Sequence, residues 1–121
     1  MRIHHLAFRT RDLARLEAFY AGALGLPVRE RHGDRSVWLG VGDAILMLER
    51  AEVGEPDVPP GSMDFVAFDV EKDARIGYLA RLAEAGVAVE HQTEFTLYFR
   101  DPDGRRVGIS HYSASPGAPR A

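Results

Sequence analysis

The sequence repeats itself at a spacing of about sixty residues. Ala7 is matched by Ala67, Phe8 by Phe68, Ala14 by Ala74, Arg15 by Arg75 and Ala23 by Ala83. Beyond the first helical stretch the offset lengthens by one, pairing Gly25 with Gly86 and Val28 with Val89. Coincidences between alanine-rich segments mean little alone, but these fall on two stretches that run through the same order of local signals. A repeat of that size points to two copies of one supersecondary unit, each with an apolar face to bury.

The first copy opens with residues 3–10, which alternate as a strand does, Leu6 and Phe8 on one face and His5, Ala7 and Arg9 on the other. Asp12 suits an N-cap, after which Leu13, Leu16, Phe19, Tyr20 and Leu24 recur at helical spacing. Gly25 stands where a left-handed cap is expected, and Pro27 stops the helix from continuing. The runs SVWLGV and AILMLE, joined through Gly42 and Asp43, read as a hairpin. RAEVGEPDVPPGS, rich in proline, glycine and charge, reads as a linker.

The order then restarts. DFVAFDV is strand-like, and DARIGYLARLAEAG carries Ile76, Leu79, Leu82 and Ala83 on one helical face, with Gly86 as its stop. VAVEH is a short strand, and FTLYF and RVGISHY flank the turn DPDG. The expected architecture is α+β: two tandem βαβββ modules, 1–50 and 63–112, joined by the linker 51–62 within one domain. Helices cover the outer faces of sheets that curl around a cavity. The tail SASPGAPRA, residues 113–121, has nothing to offset its ordering entropy and is expected to be disordered.

Composition removes several classes of function. With no cysteine there are no disulfides, thiolate nucleophiles or thiolate metal sites, which suits a reducing cytoplasm. A net charge of −3 supplies no concentrated basic face, so nucleic acid is not an expected partner. The apolar runs fall far short of the roughly 18–20 residues that span a bilayer. MRIHHLAF lacks the apolar core of a signal peptide.

Two stretches resemble the vicinal oxygen chelate superfamily, which takes in glyoxalases, bleomycin-resistance proteins and extradiol dioxygenases. In HHLAFRTRDLARLEAFYAGALGLP the similarity lies in a His, an Asp-Leu seven residues later, then Phe-Tyr and Leu-Gly; YFRDPDGRRV resembles the last hairpin of that family. The resemblance covers residues 3–112. It implies two modules around a cavity that commonly holds Fe, Mn, Ni or Zn, with donors on the first and last strands of each module.

On that resemblance His5 falls on the first donor position, and alternation puts it on the face opposite Leu6 and Phe8, whereas His4 points the other way. The other three positions fall on Phe65, Met47 and Gly108. A phenyl ring and a glycine cannot ligate, and a thioether suits hard divalent ions poorly. The expectation is therefore no resident metal. The alternative is a divalent ion held by His5, Glu49 and His111, which requires a β-bulge to turn His111 inward. His32, in RERHGDRS, and His91, at the end of a short strand, read as solvent-facing. The Arg29-Glu30-Arg31 run reads as a solvated face.

The pocket is then expected to draw on His5, Arg9, Met47, Phe65, Tyr98 and Gly108, with Glu49 and Asp69 at its rim. Arg9 is expected to meet either an anionic ligand or Asp69. Met and Phe give an adaptable, stackable floor. Metal-free members of the superfamily sequester a ligand as dimers, so a small-molecule ligand and a homodimer are expected here. A metal-dependent lyase, isomerase or dioxygenase is the alternative.

Overall fold

Leu6 and Phe8 turn one side of the first strand toward a helix, and the rest of the first unit is arranged around that contact. In the computed structural model, which describes residues 1–112, β1 (His5–Thr10) alternates between exposed and covered positions as its sequence requires. The expected tail, 113–121, lies outside the described residues. Asp12 caps α1 (Leu13–Glu17) by accepting a hydrogen bond from the Arg15 backbone N–H. The helix then widens into a π-helical stretch, Ala18–Ala23, with the Leu24 N–H donating to the Phe19 carbonyl. That widening keeps Leu16, Phe19, Tyr20 and Leu24 on one buried side. Gly25, with φ of 77°, ends it as expected.

The remaining strands of the first unit are β2 (Val28–His32), β3 (Ser36–Val41) and β4 (Ala44–Arg50), in the order β1-β4-β3-β2, with β1 parallel to β4 and the rest antiparallel. Val37, Leu39, Leu46 and Leu48 are fully buried on the helix side. Each such side chain contributes roughly 1.5–3 kcal/mol of transfer free energy. The Arg29-Glu30-Arg31 run, read as a solvated face, lies in the edge strand β2, tied to the helix by Arg31, whose guanidinium donates to both Glu17 oxygens at 2.9 and 2.8 Å. That pairing holds the Glu17 carboxyl below its ordinary value of 4.5.

The second unit repeats the plan. β5 (Phe65–Asp69), α2 (Arg75–Glu84, entered through a 3₁₀ turn, Lys72–Ala74), β6 (Val89–Gln92), β7 (Thr96–Arg100) and β8 (Arg106–Ser110) form a sheet in the order β5-β8-β7-β6. Ala7 stands opposite Met47 in one sheet and Ala67 opposite Gly108 in the other, so the repeat extends to the register. The fold is thus α+β, two open, mixed four-stranded sheets with a helix each.

One helical face departs from expectation. Ile76 is 79% exposed, and the side turned inward runs through Arg75, Tyr78, Leu79 and Leu82 instead. That side buries Leu82 completely, and the Arg75 guanidinium on it donates to the carbonyls of Thr93 and Glu94 and to Gln92 Oε1. The chain divides into two compact units, Met1–Gly61 with Asp101–Gly104, and Ser62–Arg100 with the chain from Arg105. Within the first unit the buried Tyr20 hydroxyl donates to Asp101 Oδ2 at 2.6 Å. No helix among the described residues is long and apolar enough to cross a membrane.

Candidate ligand-binding site

Strand register lays side chains in rows across the first sheet, on the face away from the helix. His5, Ile45 and Gly40 form one row, then Ala7, Met47, Trp38 and Glu30, then Arg9, Glu49, Ser36 and His32. An irregularity in β2 between Val28 and Glu30 gives Arg29 a place of its own. Its guanidinium lies over Gly40, where a Cβ would come within 2.5 Å of Nε.

A cavity of about 420 Å³ opens over the third row and the end of β4, lined by Arg9, His32, Ser36, Trp38 and Glu49 together with Arg35 and the segment Arg50–Glu52. That volume suits a small organic molecule. Its lining is mostly charged, with one aromatic side on which the His32 and Trp38 ring centroids are 4.7 Å apart at 51°. The indole N–H donates to Ser36 Oγ at 2.8 Å, which fixes the ring and satisfies its one polar atom. Arg9 pairs with Glu49 at 3.7 Å and with Glu55 at 3.3 Å, and Arg50 pairs with Asp34 at 3.1 Å. Arg11 donates to Asp57 and to the Glu55 carbonyl, so Arg9 and Arg11 together hold the start of the linker in place.

The equivalent face of the second sheet is filled. The Phe65 ring lies over Gly108, where a Cβ would come within 2.9 Å of it and would also collide with the Leu97 carbonyl oxygen. Phe65 stacks on Tyr98 at 4.6 Å, and the Arg106 guanidinium sits 4.3 Å above Tyr98. Glu90 accepts from both Arg100 and Arg106, at 2.9 and 2.8 Å. Those hydrogen bonds, the Arg100 one foremost, hold the Glu90 carboxyl below its ordinary value.

The residues expected at the pocket thus fall into two groups. Arg9 and Glu49 line the cavity; His5 and Met47 share its face but lie in the neighbouring rows. Phe65, Tyr98 and Gly108 are brought together in the second unit, packed against one another. His5 is exposed, its Nδ1 2.9 Å from Nδ1 of His4. β8 runs without a bulge, so His111 keeps the parity of Val107 and Ile109 and is buried edge-on against Phe95. Among the described residues no three His, Asp or Glu side chains gather as a set that could hold a metal ion.

Sequence reasoning missed Trp38, His32, Arg35 and Ser36. The signal was present, because counting outward from Gly42 and Asp43 sets Trp38 opposite Met47 and Ser36 opposite Glu49. His32 read as solvent-facing; it is half exposed, and its ring nevertheless packs on Trp38.

Several solved structures share this fold. The fosfomycin resistance protein FosX from Mesorhizobium loti matches with a TM-score of 0.77 at 18% identity, over 93% of each chain. Lactoylglutathione lyase from Agrobacterium tumefaciens matches with a TM-score of 0.68 at 24% identity, over 90% of this chain and 92% of that one. A FosX variant from Listeria monocytogenes, complexed with Mn(II) and a dihydroxypropylphosphonic acid, matches with a TM-score of 0.74 at 13% identity, over 94% and 91%. At such identities the likeness concerns the fold alone. Residues 2–109 match the Glyoxalase/Bleomycin resistance protein/Dioxygenase superfamily as a family, and the chain belongs to that superfamily.

Proposed function

We propose that this protein binds a small organic molecule on the far face of its first sheet and does so without a complete metal site. The observation that carries this reading is the cavity itself, about 420 Å³ with one aromatic side fixed by a hydrogen bond. The residues at the four donor positions do not fit a divalent ion: an imidazole already engaged by His4, a thioether, a phenyl ring, and a glycine with no room for a side chain. A homodimer in the cytoplasm belongs to the same reading.

The second reading is a lyase, isomerase or dioxygenase dependent on Fe, Mn, Ni or Zn. It is favoured by His5 and Glu49 sharing one face of the first sheet, and by the shared fold with an Mn(II) complex. Elemental analysis of protein purified without an affinity tag separates the two. The metal-free reading expects far less than one transition-metal ion per chain. About one ion per chain, lost on His5→Ala, overturns it.

A further inference from the structure

Charges left over in the cavity indicate what kind of molecule it takes. Of the three arginines that line it, Arg9 and Arg50 have carboxylate partners, whereas the Arg35 guanidinium has none among the described residues. Of the two lining carboxylates, Glu49 is paired with Arg9, whereas the Glu52 side chain likewise has no partner among the described residues. One solvent-facing charge of each sign without an ion-pair partner among the described residues therefore borders the cavity, beside the Trp38 indole.

Trp38 has no need of a polar ligand group. Its N–H is satisfied by Ser36, so what it offers is a ring face, braced on one side by His32. A flat apolar ring stacks there at little cost in order, because the indole is already held. A purely anionic ligand would meet Arg35 but leave Glu52 uncompensated and repelling; a purely cationic one reverses the fault. A ligand carrying both charges answers both groups.

We infer that the first-sheet cavity takes a zwitterionic ligand built on a flat ring, with the ring on Trp38, an anionic group toward Arg35 and a cationic group toward Glu52. This rests on the reading of that cavity as the binding site. The test is a calorimetric titration of the full chain with four probes that share a phenyl ring: phenylalanine, hydrocinnamate, phenethylamine and hydrocinnamyl alcohol.

Phenylalanine is expected to bind more tightly than the other three, with an affinity that falls as salt is raised. Arg35→Gln is expected to weaken phenylalanine and hydrocinnamate by roughly two- to fivefold and to leave phenethylamine unchanged. Glu52→Gln should do the reverse, weakening phenylalanine and phenethylamine only. Trp38→Ala should weaken all four by roughly 5- to 100-fold, and Trp38→Phe should restore part of that loss.

Equal affinity for the four probes, with Trp38→Ala still destructive, overturns the zwitterion and keeps the cavity as the site. No binding by any probe overturns the ligand class. Binding that Trp38→Ala leaves untouched overturns the cavity reading as well.

Discussion

At the scale of single residues, two contacts decide more than their neighbours. Tyr20 and Asp101 are both buried, and the hydroxyl donates to the carboxylate at 2.6 Å. Removing the hydroxyl leaves a buried acceptor short of a donor, so Tyr20→Phe is expected to cost about 1–3 kcal/mol in chemical denaturation. Gly108 is the second. A methyl there meets the Leu97 carbonyl and the Phe65 ring at once, and the first of these is backbone that cannot swing aside. Gly108→Ala is expected to cost about 1–3 kcal/mol or more by the same measurement. From sequence, Gly108 reads as a missing donor, and the ring that fills the space is invisible without the register. Trp38 differs, because the turn at Gly42 and Asp43 already carries its register. It sits in an apolar run that any hairpin would bury, and pairing with Met47 places it on the far face beside Glu49 and Arg9.

Among the elements, those with strong local signals were legible. The first helix carried its N-cap, its apolar spacing and its glycine stop, and the hairpin through Gly42 was set by its turn. β2 was not, since all five of its residues are exposed and show no alternation to read. Nor was the inward side of α2, because Ile76 stays exposed while Arg75, which reads as a surface residue, finds three acceptors on the inward side. The ion-paired edge of the second sheet yields a pH prediction. The Glu90 carboxyl is held below 4.5 by Arg100 and Arg106, so its contribution is present above that value and is lost as pH falls through the lower, folded one. In Glu90→Gln the deficit in Tm relative to the parent chain should be largest near neutrality and should shrink as pH falls below the carboxyl's ordinary value of 4.5, as followed by thermal melts.

For the molecule as a whole, one fold has been used twice to different ends. The first sheet keeps a cavity on the face where the second has packed Phe65, Tyr98 and Arg106 together. If stability owes nothing to a bound ion, dialysis against a chelator should leave Tm unchanged, while a ligand at a hundred times its Kd should add about 2.7 kcal/mol. A fall in Tm on chelation, restored by a divalent ion, would reverse that assignment. The packing over Gly108 also limits which substitutions this chain accepts. A glutamate installed at that position would enter occupied space, and trimming Phe65 first would still leave the neighbouring strand's carbonyl in its way. Position 108 is therefore closed to any side chain while β7 keeps its place.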